Sequence, residues 1–343
     1  MQRVTTMTMN RFEEALLSGR TLVTAECYPP AGSDPEAVRT LSSALPQNLD
    51  AVVVADNPDR IRSSAFSTAV MLSKQRRASV ILSMTTRDRN RLSLMSEALG
   101  AAALNIEALL CMSGRHQSMG TCPQAAAAND MDSIQFAQAM KRMVLYRSQM
   151  NGKALETELN LQIGATAQPY MRPMELNLLR LRKKITVGAD FLLTQAVFDL
   201  EGFDRWIHSV RASQLDARTA IIASVLPLTS PERARELQES QIYGPIGDDI
   251  VSRISRARDP EAEGVAIAAE MARQLRDIPG VRGIHILSGG CERLAGEVME
   301  QAALVRHSSL QDCVFSTQSK ADVRHHAGRS FSSDMYETQK CRG

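Results

Sequence analysis

Aromatic residues make up only 4% of this 343-residue chain, and that scarcity excludes functions before any motif is read. Proteins that hold single-stranded nucleic acid stack bases on aromatic platforms, and too few rings are present to build one. A net charge of +2, from 40 basic and 38 acidic residues, supplies no basic surface for a phosphate backbone either. No apolar run is long enough to span a bilayer and no secretory leader is present, so a cytoplasmic protein is expected. The six cysteines (Cys27, Cys111, Cys122, Cys291, Cys313 and Cys341) lie far apart without a Cys-x-x-Cys pair, which points to reduced thiols and no zinc site. His307, His325, His326 and Cys341 fall in a polar C-terminal stretch of the kind that supplies histidines by chance, and no metal is expected there. A glycine-rich dinucleotide fingerprint is also missing after the first apolar run.

What is present is alternation. Apolar, β-rich runs begin near Leu22, Asp50, Ser79, Asn105, Asn160, Asp190, Thr219 and Val281, and each is followed by a segment with helical periodicity. Predicted helices cover 35–45, 62–75, 91–100, 131–149, 173–185, 200–210, 231–238, 261–277 and 292–303. Ser33-Asp34-Pro35-Glu36 and Thr229-Ser230-Pro231-Glu232 carry helix-start chemistry, a capping side chain followed by a first-turn proline and an acid. Eight such units predict an α/β fold, a single closed (β/α)8 TIM barrel, which typically uses about 250 residues. The expected layout is a lead-in over 1–20 with a short helix Arg11–Ser18 across the base, a barrel over 21–305, and a disordered polar tail over 306–343.

The sharpest local signal is Glu26-Cys27-Tyr28-Pro29-Pro30. Two prolines cannot donate to a sheet ladder, so the first strand stops there and leaves Glu26 at its C-terminal rim, where parallel α/β folds keep their chemistry. Other strands are expected to end at Asp56-Asn57, Thr85 to Asp88, Ser113 to His116, Thr166 to Gln168, Thr194-Gln195, Leu226-Pro227 and Ser288 to Gly290, all converging on one mouth. This set has one strong acid candidate and no nucleophile–base pair, so a cofactor is expected to carry the reaction.

These residues resemble the methylenetetrahydrofolate reductase family, in particular a bacterial branch with a Thr-x-Arg-Asp-Arg-Asn signature, here Thr85 to Asn90. Matching stretches run in the family's order: 25–30, 56–58, 113–117, 130–135, 164–170 and 184–199. The resemblance implies bound FAD and interconversion of 5,10-methylenetetrahydrofolate and 5-methyltetrahydrofolate by hydride transfer. Glu26 matches the general acid that assists ring opening, which requires a carboxyl still protonated near neutral pH. Gln195 matches the glutamine that hydrogen-bonds the pterin, and Arg115 falls beside both ligands. By the same resemblance Thr85, Gly114, Arg115, Asp130, Ala165, Thr166, Tyr170, Asn177, Arg180, Lys183 and Lys184 bind the cofactor. The lysine pair could equally be a solvated helix face. NAD(P)H or a partner protein would supply electrons, and a homo-oligomer is a further expectation.

Departures from the family pattern are equally specific. Arg115 stands where the family has an acid after Gly114, a reversal of charge expected to favour anionic reduced flavin, to repel a cationic iminium and so to bias the enzyme toward oxidation of methyltetrahydrofolate. An outward Arg115 paired with Asp130 or Asp132 would cancel that effect. Ser83, Ala55, Cys291 and Pro231 replace a flavin-contacting histidine, a threonine, a folate-tail arginine and a stacking aromatic seen in some relatives. Two other readings stay open: a catalytically weakened barrel subunit acting with a partner protein, and a flavin-free folate or corrinoid methyltransferase with Asp56, Asn57 and Gln195 as pterin clamp.

Overall fold

The computed structural model describes residues 9–119 and 122–304, so the tail expected from Arg306 onward lies outside the described residues, as do residues 1–8 of the lead-in. Eight parallel strands close into a barrel in sequence order. They are β1 (Leu22–Cys27), β2 (Ala51–Val54), β3 (Ser79–Thr85), β4 (Ala108–Met112), β5 (Gln162–Ala167), β6 (Phe191–Ala196), β7 (Ala220–Val225) and β8 (Val281–Ile286). Closure pairs Leu22 with Gly283 and Thr24 with His285. Nearly every strand residue is buried because each has a helix layer on one side and the barrel lumen on the other.

The helices form the outer ring and begin where side chains can cap them. They are α1 (Arg11–Leu17), α2 (Pro35–Ala44), α3 (Ala65–Gln75), α4 (Arg91–Ala103), α5 (Ser133–Tyr146), α6 (Met174–Thr186), α7 (Leu200–Ala212), α8 (Pro231–Ser240), α9 (Asp248–Arg256), α10 (Pro260–Arg276) and α11 (Leu294–Gln301). Asp132 and Gln135 form a reciprocal capping box at the start of α5, which moves that helix two residues past its expected start. Arg62 is outside α3 because its guanidinium is held by Asp59 and the Pro29 carbonyl. The helix α9 was not anticipated. It buries only Ile250 and Ile254, too few apolar positions to register as a periodic segment.

The lumen is filled below the mouth and sealed at the base. Phe12 of α1 meets Phe191 edge-on at 5.1 Å between ring centres, beneath Leu22, Val53, Ile81, Leu110 and Ile222. Gly164 of β5 makes room for that ring, since a Cβ there would sit 2.2 Å from Phe191. Glu107 fastens α1 to the floor by accepting the Phe12 amide at 3.0 Å, the Ser79 hydroxyl at 2.6 Å and the Arg11 guanidinium at 2.8 Å. Among the described residues no helix is long and apolar enough to cross a membrane.

Candidate active site

A cavity of about 650 Å³ opens at the C-terminal ends of the strands. That is within the roughly 300–1,000 Å³ of small-molecule sites. Glu26, the last inward-facing residue of β1, lines it. Its Oε2 accepts the Ser288 amide at 3.1 Å and lies 3.4 Å from the Ser288 hydroxyl. Removal from water pushes the Glu26 carboxyl up to about 7, with the Ser288 and Gly289 amides opposing and the Glu292 charge adding to the rise. Its acid form is thus populated near neutral pH.

Below Glu26, His285 of β8 forms part of the cavity wall, with Nδ1 2.9 Å from the Thr24 hydroxyl. Burial pulls it down to about 3, so the ring is neutral. On the next strand around, Asp56 accepts the Thr85 amide and hydroxyl, both at 2.9 Å, and pairs with Arg89 at 2.7 Å. This pins Thr85 at the rim. Gly114 follows β4 with φ +79°, and a Cβ would lie 3.1 Å and 3.2 Å from the Arg87 and Thr85 Cβ atoms. Only glycine turns the chain so tightly there.

That turn delivers Arg115 into the mouth, not outward. Asp130 is taken by Arg91 at 2.7 Å and Asp132 caps α5, so the alternative of an outward ion pair is not what the structure adopts. Instead the Arg115 guanidinium lies 5.7 Å over the Tyr243 ring, and the Tyr243 hydroxyl is 3.3 Å from that of Tyr28. Arg62 in turn lies 4.9 Å over Tyr28. Cations and rings therefore form a ladder across the opening. Among the described residues Arg115 has no carboxylate partner.

Gln195 reaches the cavity from an irregularity in β6, where the register with β7 shifts between Leu193 and Ala196. The Thr194 hydroxyl accepts the Ser224 amide and donates to the Gln195 carbonyl, satisfying the break. The Gln195 amide donates to the Ile242 carbonyl at 3.2 Å and so anchors the loop that carries Tyr243. Gly244, at φ +112°, lets this loop pass the Tyr170 ring, which a Cβ would approach to 2.9 Å.

The opposite side of the mouth is cationic. Lys184 of α6 donates to the Thr166 carbonyl at 2.6 Å. Burial, reinforced by Arg180, lowers Lys184 to about 8. Arg180 and Lys183 line the same end from exposed positions. A bound anion would offset the cost of burial and the repulsion by favouring the charged lysine.

The model of the methylenetetrahydrofolate reductase family matches residues 11–303. The chain belongs to that family. It is 29% identical over 150 residues to methylenetetrahydrofolate reductase 2 of Saccharomyces cerevisiae, covering 40% of this chain and 24% of the yeast protein. It is 22% identical over 255 residues to a probable methylenetetrahydrofolate reductase (NADPH) of Caenorhabditis elegans, covering 72% of this chain and 36% of that one. The chain thus spans about a quarter and a third of these relatives' lengths. Among solved structures it is similar, with TM-score 0.63 and 13% identity over 86% of this chain and 100% of the other, to a Clostridium thermocellum protein described as binding two copies of 5-methyl-5,6,7,8-tetrahydrofolic acid.

Most residues expected from the reductase pattern meet at this cavity. Glu26, Thr85, Gly114, Arg115, Thr166, Asn177, Arg180, Lys183, Lys184 and Gln195 all line it. Three do not. Asp130 is held outside by Arg91, which keeps its carboxyl low, at about 2. Ala165 faces the helix layer, buried in the strand–helix core. Tyr170 donates to the Asp199 carbonyl at 2.9 Å and packs behind Gly244. Asn177 does reach the cavity, yet its amide donates to the Gln168 and Met171 carbonyls at 2.8 and 3.2 Å, shaping the β5–α6 loop. Of the departures from the reductase pattern, Ser83 and Ala55 line the cavity, whereas Pro231 is the first residue of α8 and Cys291 lies outside. His285, Tyr243 and Glu292 were missed as site residues, whereas Ser288 was expected at the mouth as part of the β8 end. Only His285 had a readable signal, its inward place in the alternation Gly283, His285, Leu287.

Proposed function

We propose that this protein is a flavin-dependent oxidoreductase that interconverts 5,10-methylenetetrahydrofolate and 5-methyltetrahydrofolate. The observation that carries the reading is Glu26, a desolvated carboxyl at the mouth with its acid form populated near neutral pH. The donor set at the other end fits FAD: a half-buried lysine, a rim lysine and an arginine complement a diphosphate, and their mutual repulsion is relieved by one. When bound, FAD would supply the hydride transfer. Arg180, Lys183 and Lys184 would hold its phosphates, with Thr166 and Thr85 at the edges of its ring and tail.

The protein's own part is proton placement and orientation. Glu26 delivers its proton to the pterin nitrogen as the five-membered ring opens, and the amides of Ser288 and Gly289 stabilise the carboxylate left behind. Gln195 presents an amide to the pterin edge, which offers donors and acceptors together. Arg115, a mouth cation without an ion pair among the described residues, would stabilise an anionic reduced flavin, so oxidation of the methyl form is the easier direction. Electrons are exchanged with NAD(P)H or with an electron-carrying partner protein.

The test is a visible spectrum of the purified protein followed by anaerobic addition of methyltetrahydrofolate. A yellow protein that bleaches is expected. A colourless protein that binds folate would replace this reading with methyl transfer, and one that binds neither ligand would replace it with a barrel subunit. Stopped-flow reduction by NADH and NADPH then separates nicotinamide from protein donors.

A further inference from the structure

Glu292 stands just outside the cavity, 6% exposed, and belongs to no motif. Its Oε1 accepts the Tyr28 amide at 2.9 Å and lies 3.5 Å from the Ser288 hydroxyl. That same hydroxyl is 3.4 Å from Glu26 Oε2. One serine therefore stands between two carboxylates. A hydroxyl has one proton and donates to one of them at a time, while the Gly290 amide donates to its oxygen at 3.1 Å and leaves the proton free to choose. The two carboxylates share one hydroxyl donor, and at Glu26 the Glu292 charge raises the carboxyl while the Ser288 hydroxyl lowers it.

The surroundings give neither an ion pair, although the Arg62 charge reaches Glu292. Tyr28 and Tyr243 face the pair from beyond β1 and from the loop before α9, with Arg62 and Arg115 stacked on their outer faces. Arg62 is already held by Asp59, Cys27 is a buried thiol and His285 is neutral. Among the described residues neither carboxylate has a cation partner.

We propose that Glu292 and Ser288 are positioning residues that set how readily Glu26 gives up its proton. This rests on the role of Glu26 argued above. Glu292 acts through charge, and Ser288 through the hydrogen bond it lends to the ionised form; the two act in opposite directions. Glu292→Gln keeps a carbonyl for the Tyr28 amide but removes the charge, so Glu26 titrates at lower pH. Ser288→Ala removes the hydroxyl but keeps both backbone amides, so Glu26 titrates at higher pH. Ser288→Thr restores the hydroxyl and the original titration.

The experiment is an infrared titration of the protonated carboxyl band in the ligand-free protein, assigned by its loss in Glu26→Gln. Shifts of about one pH unit in opposite directions for Glu292→Gln and Ser288→Ala, each worth a tenfold change in proton affinity, are expected. No shift in either variant, or shifts of the same sign, would overturn the proposal. The pH–rate profile of folate turnover should move by the same amounts. Opposite titration shifts with a pH-independent rate would leave the positioning pair standing and remove instead the acid role of Glu26.

Discussion

The two ends of this barrel are built from the same strands and treat polar groups in opposite ways. At the floor, Glu107 collects an amide, a hydroxyl and a guanidinium, and Phe12 closes the lumen against Phe191. At the mouth, Glu26 and Lys184 are half-buried without an ion pair among the described residues, and Arg115 rests on a ring in place of a carboxylate. The floor's polar groups are partnered within the protein, while the mouth keeps Glu26 and Arg115 without an ion pair among the described residues. Strand register explains how one sheet does both: inward positions run from Leu22 through Thr24 to Glu26, so polarity rises along a single strand.

The comparison breaks first at Glu26. Glu26→Gln should lower folate turnover by about 10²- to 10⁴-fold, the usual worth of a positioned acid, while leaving flavin absorbance in place. Single-turnover kinetics with the variant reads this, and an unchanged rate would remove the mouth's defining residue. Phe12→Ala should do the reverse, costing about 3–5 kcal/mol in denaturant unfolding and leaving folate affinity unaltered. A change in affinity would mean that floor and mouth are coupled.

Acidity sharpens the contrast further. Glu26 is raised in the folded chain from 4.5 to about 7, so the native state binds more protons than the unfolded one across that interval. Stability is therefore fully present below pH 4.5 and falls, by about 3 kcal/mol, as pH rises through 7. Glu26→Gln should flatten this slope in urea titrations at pH 5 and pH 8. His285 works in the other direction. Its folded value near 3 lies below the usual 6.5, so its contribution is present above 6.5 and lost as pH falls toward 3. The smallest effect is expected from Gln195→Ala, which removes one hydrogen bond to the Ile242 carbonyl, about 1 kcal/mol. Hydrogen exchange should quicken in residues 241–247 and stay unchanged in α1.

The barrel was legible because its signal is repeated. Eight apolar runs, first-turn prolines at Pro35 and Pro231, and the stop at Pro29-Pro30 each agree with the closed sheet. Glu26 and Gln195 were legible because a strand-end position follows from where the apolar run stops. Partnership was not. Whether Asp130 meets a ligand or Arg91, and whether Arg115 meets Asp132 or Tyr243, depends on loops whose course no periodicity records. Tyr170 illustrates the same limit: one residue decides whether a side chain points into the mouth or behind it, and Tyr170 points behind. Glu292 was invisible for another reason, since its partner Ser288 lies on the preceding turn and Glu26 lies 266 residues away.

The ladder over the opening is fixed unequally. Arg62 donates through Nε and Nη2 to Asp59 and through Nη1 to the Pro29 carbonyl, whereas Arg115 rests on Tyr243 through a contact worth about 0.5–1 kcal/mol. The two rungs are thus held unequally, and the β4 side of the opening carries the weaker contact.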